Sequence, residues 1–418
     1  SGIPLRGGRS AGAAARVGAS ALAMLREQWV ITLALTPLTL LLFGQVSLVG
    51  LVANALAIPW VTLLVTPLAM LGVLWPPLWS LAALAVQGMT QVLQALAVLP
   101  WAVWSTAQAP WWAGVAGMLG GLLLVLRLPP TLRLCGLPLM LPVLLWQPAR
   151  PLPGEFELLA ADIGQGNAVL VRTAHHALLY DAGPRYSRES DAGHRVLVPL
   201  LRALDVRLDR LVLSHRDTDH VGGAAAVLAQ QPQARLLSTF QDRVDLASLR
   251  QAEPCEAGQR WTWDGVDFEV LHPPAPAPAP ASDAATTRPN ALSCTLRIAN
   301  ARTAALLPGD IEQAQEAALL ARGAPLRADL LVVPHHGSKT SSSEPWLDAV
   351  QPRIALVQAG YRNRFGHPAP LVVSRYADRG VRVVDSPHCG AIRWRSQAPD
   401  RVHCQREQEP RYWRHRPD

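Results

Sequence analysis

At 418 residues the chain is too long for one ordinary domain, and its charge is sharply uneven along the length. The formal net charge of +7 is weak support for nucleic-acid binding, because up to Trp146 the only charged residues are Glu27, Arg6, Arg9, Arg16, Arg26, Arg127 and Arg133, and the remainder is nearly balanced. Cys135, Cys255, Cys294, Cys389 and Cys404 form no C-x-x-C pair, which excludes a zinc ribbon or thioredoxin-like motif; they are expected as unpaired buried thiols, with a Cys389–Cys404 disulfide as the alternative.

The first residues show no signal-peptide pattern with a cleavage site, and the chain reads as the C-terminal piece of a longer protein. From Gln28 to Leu126 there is no Asp, Glu, Lys, Arg or His. A bilayer core takes about 20 helical residues per crossing, so this run holds about four. They are expected near Trp29 to Val49, Leu51 to Val73, Leu78 to Leu99 and Trp111 to Leu126, with a shorter fifth candidate from Leu134 to Trp146. Pro37, Pro59 and Pro67 inside these spans free backbone carbonyls that neighbours must satisfy, which favours a bundle. Gln87, Thr90, Gln91 and Gln94 form a polar stripe, read as a bundle-facing or interfacial surface ahead of a pore lining. The arginines place the N-terminal flank and the Arg127 to Arg133 loop in the cytoplasm. A fifth crossing then exports everything after Gln147; without it the rest of the chain faces the cytoplasm.

From Glu155 onward the pattern is that of an α/β domain. Strands are expected at Phe156 to Ala161, Ala168 to Arg172, Ala177 to Tyr180, Arg210 to Leu213, Ser293 to Ile298, Thr303 to Leu307, Leu330 to Val333, Ile354 to Val357 and Val381 to Val384. Helices are expected from about Gly222 and at Ile311 to Ala321, Glu344 to Val350 and Leu371 to Asp378. The Ala/Pro run Pro273 to Ala281 is low-complexity and carries no assigned function. Domain limits follow at 1–148, 154–395 and a flexible basic and aromatic tail at 396–418.

One stretch carries the chemistry. After the strand ending at Leu213 comes Ser214-His215-Arg216-Asp217-Thr218-Asp219-His220-Val221-Gly222-Gly223, with Pro308-Gly309-Asp310 and Pro334-His335-His336-Gly337-Ser338 far behind it. His215 and Asp217 converge on one divalent metal, Asp219 and His220 on a second, and Asp310 is placed to bridge them. Two cations lower the pKa of a shared water and stabilise the attacking and leaving oxygens of a phosphodiester. Asp219 is therefore a catalytic candidate as well as a ligand. Adjacent strand-end side chains point apart, so His336 is taken as a ligand and His335 as its support. Ser338 and Lys339 either contact a phosphate or form a solvated loop. His367 is read as a proton donor or a partner behind the metal, and His272 as a surface histidine.

The H-x-D-x-D-H-x-G-G cassette with Leu307-Pro-Gly-Asp310 resembles the metallo-β-lactamase-like hydrolases. More narrowly, Asp162-Ile-Gly-Gln-Gly-Asn167-Ala, Tyr180-Asp181-Ala-Gly, Pro334-His-His-Gly-Ser338, Asn363-Arg-Phe-Gly-His367-Pro and Gly390-Ala-Ile look like the C-terminal domain of ComEC/Rec2 competence proteins. The apolar half is similar to the end of that family's channel region. The resemblance implies a polytopic α-helical membrane region followed by an αββα sandwich. It implies an inner-membrane channel for single-stranded DNA in natural transformation, with a metal-dependent nuclease domain outside the cytoplasm. DNA, the membrane, further copies of the chain and other competence proteins are the partners it points to. It adds Asp162, Asn167 and Asp181 as residues of interest. Three departures stand out: the superfamily more often has His where Asp217 stands, Asn167 replaces a carboxylate, and no histidine occurs near Asn290 to Ser293. The carboxylate at Asp217 hardens the site and favours Mn²⁺ or Mg²⁺ over Zn²⁺. A catalytically inactive DNA-guiding domain and a membrane-bound hydrolase of another ester are the competing readings.

Overall fold

The computed structural model describes residues 13–241, 244–275 and 288–410. The chain divides into two compact units, residues 1–148 with 202–205, and residues 149–201 with 206–418.

Helices dominate the N-terminal unit. The first spans Ala13–Phe43, so it reaches further toward the N-terminus than the expected span and stops short of Val49. Gly44, at φ 64°, turns the chain, and Gln45–Ser47 (β1) pairs antiparallel with Val103–Ser105 (β2). Gly50–Leu71 and Pro77–Ala97 are long and apolar enough to cross a membrane, whereas Trp111–Val125 and Pro130–Leu144 are shorter. A π-helical segment, Val61–Val65, follows Pro59 within the first of these, a local adjustment of the kind an internal proline calls for. Trp111–Val125 is glycine-rich where other helices approach it. A Cβ on Gly120 would lie 2.5 Å from the Gly136 carbonyl oxygen, and one on Gly117 2.6 Å from Val143. Small residues let helix backbones meet closely where no hydrophobic effect drives them together. Gln87, Thr90, Gln91 and Gln94 are all exposed.

The C-terminal unit is built on two mixed sheets. Eight strands form one: Glu157–Ala160 (β3), Val169–Arg172 (β4), Ala177–Tyr180 (β5), Arg210–Leu213 (β8), Arg235–Ser238 (β9), Ala252–Pro254 (β10), Ile392–Arg395 (β18) and Val402–Cys404 (β19). Their order is β10-β9-β8-β5-β4-β3-β18-β19. Between β5 and β8 lies a small hairpin of Arg185–Ser187 (β6) and Ser190–Asp191 (β7). Arg260–Trp263 (β11), Val266–His272 (β12), Thr295–Ala299 (β13), Ala304–Leu307 (β14), Leu330–Val332 (β15), Ile354–Val357 (β16) and Arg382–Asp385 (β17) make the second sheet in sequential order. Leu158, Val171, Leu178 and Val212 of the first sheet share one buried core with Phe268, Leu296, Leu307, Leu330 and Leu356 of the second. The opposite face of the second sheet buries Leu306, Leu331 and Ala355 with Leu319, Trp346, Val372 and Tyr376 of its helices. Strands buried on both faces are near-continuous apolar runs, which is why β5, β8 and β16 were readable in the sequence to the residue.

β5, β8 and β9 run parallel, as do β14, β15, β16 and β17. Their C-terminal ends, at Asp181, His215, Asp310 and His336, deliver the polar residues to one place.

Several expectations require correction. The cysteines are not unpaired: Cys255 bonds to Cys294 and Cys389 to Cys404, and Cys135 alone is free. The β18–β19 register sets Ile392 opposite Cys404, and Cys389 just before β18 lies within reach. The same pairing folds the first part of the supposed tail into the sheet. Residues 411–418 lie outside the described residues, as does most of the Ala/Pro run. His272 is buried at the end of β12, with Nε2 2.9 Å from the Ala291 carbonyl.

Candidate metal centre

Strand β8 ends at Leu213, and Ser214 and His215 turn inward, fully buried. Asp217 starts a short helix, Thr218–Val221, whose second and third residues are Asp219 and His220. The helix sits so close to its neighbours that Gly222 and Gly223 admit no side chain: a Cβ would lie 2.1 Å from the Arg185 nitrogen and 2.3 Å from the Gly193 nitrogen, respectively. Gly309, at φ 64°, makes the turn after β14 that aims Asp310 at the same spot. His335 and His336 both have positive φ, 52° and 54°, a strained backbone of the kind retained at functional sites.

Two donor groups result, each with its ligand atoms within 4.8 Å of one another: His215, His220 and Asp310, and Asp219, His220 and His336. The His220 imidazole belongs to both. Its Nε2 is 3.2 Å from Asp310 Oδ1 and 3.3 Å from His336 Nε2. The Asp310 carboxylate also lies 3.9 Å from His215 Nε2 and 3.7 Å from His336 Nε2. Asp219 Oδ2 is 3.3 Å from His336 Nε2. Asp217 stands at the rim, its side chain 45% exposed and 3.5 Å from His215 Nε2.

Behind the donors, a buried network sets their orientation. The Asp181 carboxylate, wholly buried and at φ 60°, lies 2.8 Å from His220 Nδ1 and accepts from the Ser214 amide and hydroxyl and from Asn167 Nδ2. Asn167 therefore braces Asp181, and its lost charge is not lost from the donor groups. His336 Nδ1 is 2.8 Å from the Gln358 carbonyl, so its Nε2 faces the cluster. Where a further histidine was expected, Asn290 Nδ2 contacts His335 Nε2 at 3.4 Å, and Ser293 Oγ lies 3.4 Å from His215 Nδ1 while accepting from the Asp310 amide.

Charge in this cluster is strongly coupled. Burial lowers the His220 pKa, but Asp310 and Asp181 outweigh it and hold the value well above normal. Burial raises the Asp310 pKa, yet His220 and His336 drive it well below the carboxylate range. Asp219 is pulled down to about 2: burial opposes this, and His336 and His220 outweigh burial. His367 is lowered by burial and by the His336 and His335 imidazoles; its ring centroid is 5.8 Å from that of His335.

The donor set fits a divalent cation. The buried Nε2 of His215 has no hydrogen-bond partner, although an unpaired buried polar atom is costly, and it points among imidazole and carboxylate donors suited to such an ion. Other sequence candidates fall outside the cluster. Asp162 pairs with Arg406 at 2.7 Å, Ser338 Oγ contacts Thr340 Oγ1, and exposed Lys339 offers its carbonyl to Gln313. Missed residues include Ser214, Ser293 and Gln358. The Gln358 side chain joins the Ala161 and Ala168 backbone to the end of β16, and a lone buried amide after an apolar strand was its only signal.

A two-sheet sandwich with His and Asp donors at the parallel strand ends defines a metallo-β-lactamase-fold domain with a divalent-metal site. Residues 161–243 match the metallo-β-lactamase superfamily and residues 8–131 the competence protein family. Competence protein ComA of Neisseria gonorrhoeae is 35% identical over 88% of this chain and 51% of its own length. Recombination protein 2 of Haemophilus influenzae is 28% identical over 88% of this chain and 49% of its own length. The metallo-β-lactamase fold protein YhfI of Bacillus subtilis superposes with a TM-score of 0.39 and 14% identity, over 58% of this chain and 99% of its own. The chain is thus similar to competence proteins over most of its length, and spans about half the length of these curated relatives.

Proposed function

We propose that the chain takes part in DNA uptake during natural transformation. Its N-terminal unit contributes helices to an inner-membrane channel for single-stranded DNA, and its C-terminal unit lies outside the cytoplasm as a metal-dependent phosphodiesterase acting on that DNA. The observation that carries this reading is the convergence of His215, Asp219, His220, Asp310 and His336 on one spot in a chain whose other half matches the competence family. Two disulfides support an oxidising compartment for the C-terminal unit.

His215, Asp217, Asp219, His220, Asp310 and His336 would hold two divalent cations. Imidazoles and carboxylates make a mixed donor set, which the Asp217 carboxylate tilts toward Mn²⁺ or Mg²⁺ rather than Zn²⁺. Such a pair, when bound, supplies a water of lowered pKa and neutralises charge on a phosphodiester. The residues of the chain prepare the site for this. Asp181 and the Gln358 carbonyl hold the Nδ1 protons of His220 and His336, leaving each Nε2 for the cluster, and such supports raise ligand basicity. His367 stands beside His335 and His336, where its imidazole would return a proton to the leaving oxygen.

Purified chain in detergent is expected to cleave DNA only with added divalent cation, fastest with Mn²⁺. Full metal occupancy without cleavage by any cation would instead favour a domain that guides DNA without cutting it.

A further inference from the structure

Both donor groups of the metal centre take members from both sheets. His215 and His220 come from the segment after β8 of the first sheet, and Asp310 from the turn after β14 of the second. Asp219 and His220 likewise meet His336, which follows β15 of the second sheet. The cluster is therefore only as well defined as the placement of one sheet against the other. Binding constellations need their donors held to within about 0.5 Å by the residues around them.

The Cys255–Cys294 bond joins the two sheets next to the supports of those donors. Cys255 follows β10 of the first sheet, and its amide donates to the Ser238 carbonyl at the end of β9. Cys294 precedes β13 of the second sheet. Its amide donates to the Ser214 carbonyl at 2.8 Å, and its carbonyl accepts from the Tyr180 hydroxyl at 2.6 Å. Ser214 in turn sets its hydroxyl 3.0 Å from His215 Nδ1 and 3.3 Å from His220 Nδ1. Ser293, beside Cys294, accepts from the Asp310 amide and lies near His215. Gly309, which turns the chain into Asp310, is wedged between the same serines: an added Cβ would lie 3.0 Å from Ser214 Cβ and 3.1 Å from Ser293 Cβ. A shift at Cys294 thus passes to donors of both sheets. Cys255 and Cys294 are 2% and 0% exposed, and such buried cysteines are inert once the chain has folded.

We propose that the Cys255–Cys294 disulfide is a positioning element of the metal centre, so that the chain binds its divalent cations tightly only when this bond has formed. Closure takes two protons and two electrons from the two thiols, and a disulfide oxidant accepts them and becomes a dithiol. The centre would then stay loose in a reducing cytoplasm and close after export. That purpose rests on the extracytoplasmic reading, but the positioning and its test do not.

Cation affinity of the whole chain in detergent is measured with Mn²⁺ against a metallochromic chelator. Cys255→Ala/Cys294→Ala is expected to bind about 10- to 100-fold more weakly, the loss typical of a removed support, with its far-UV circular dichroism unchanged. The control pair Cys389→Ala/Cys404→Ala opens a bond at the sheet edge, where β5, β4, β3 and β18 stand between β19 and β8, and should bind as wild type does. With EDTA present, the Asp310 amide should exchange with solvent faster in the first variant and not in the control. Wild-type affinity in the first variant, or an equal loss in both, overturns the positioning role. Should the first variant fail to fold, wild-type chain kept under a phosphine reductant from lysis onward takes its place, its open thiols confirmed by alkylation and mass spectrometry. Unweakened binding there, or binding lost only together with the fold, overturns the proposal. DNA cleavage is assayed separately on the oxidised chain. Its absence at full metal occupancy refutes the phosphodiesterase and leaves the positioning role standing.

Discussion

Asp181 carries more of the site than any residue outside the donor groups. It accepts from Ser214 and Asn167 and faces the shared imidazole of His220, all while fully buried. Removing such a support generally costs about 10- to 100-fold in metal affinity. Asp181→Asn is expected to fall in that range by competition with a metallochromic chelator, while Asn167→Asp, which sets a second carboxylate against Asp181, should weaken binding as well. An unchanged affinity in Asp181→Asn would mean that His220 orients itself. Direct loss of a donor should be more severe. Asp219→Ala is expected to lose at least about 100-fold in cleavage, since even a supporting partner costs that order, with bound cation falling in elemental analysis. The fold should survive, because Asp219 lies on a short surface helix and is 33% exposed.

A second buried carboxylate governs stability instead of chemistry. Glu157 on β3 is 2.6 Å from Arg172 and 2.8 Å from Arg395. Burial raises its pKa, but Arg172, Arg395 and Arg393 outweigh burial and hold it below the usual value. A depressed folded pKa stabilises above the unfolded value, about 4.3 for glutamate, and that contribution disappears as pH falls through the folded pKa. Glu157→Gln strands the guanidinium of Arg172, and breaking a buried pair in this way costs about 3–5 kcal/mol. Denaturant unfolding should show that loss at neutral pH and a smaller one at pH values below the carboxylate range. An equal loss at both would assign the effect to packing.

At the level of elements, the edge of the first sheet depends on a short strand. β19 has three residues and, among the described residues, pairs only with β18, and the Cys389–Cys404 bond closes it across a sequence separation of 15. Cross-linking a loop of that size contributes about 3 kcal/mol by restricting the unfolded chain. Cys404→Ser, compared with wild type before and after reduction, is expected to show this loss only under oxidising conditions. If β19 stays protected from hydrogen exchange in the variant, backbone pairing alone holds the edge. In the N-terminal unit the equivalent constraint is close approach: Gly120 and Gly136 meet so tightly that a Cβ on Gly136 would lie 2.4 Å from the Gly120 carbonyl oxygen.

At the scale of the whole molecule, sidedness is directly testable. A reporter active only outside the cytoplasm should work when fused after Gln147 and fail when inserted between Pro129 and Pro130, if Pro130–Leu144 completes an odd number of crossings. The reverse pattern would place the metal centre in the cytoplasm, against the oxidising environment that the two disulfides favour. Gly50–Leu71 and Pro77–Ala97 have the length and apolarity needed to cross a membrane, and the last two helices are shorter.

The sequence alone determined the division into an apolar and an α/β half, since a run without charge from Gln28 to Leu126 and apolar strand runs such as Ile354–Val357 are properties of neighbouring residues. It also marked His215, Asp219, His220, Asp310 and His336, because metal donors at strand ends need particular residue types behind particular turns. Only the tertiary structure decided which of them share a space. It made His220 common to both donor groups, moved Asp217 to the rim, sent Asp162 to Arg406, and set Asn167 as a brace for Asp181. It likewise paired Cys255 with Cys294 across 39 residues. These are contacts between segments far apart in the chain, and sheet order and register, which local sequence does not encode, bring them together.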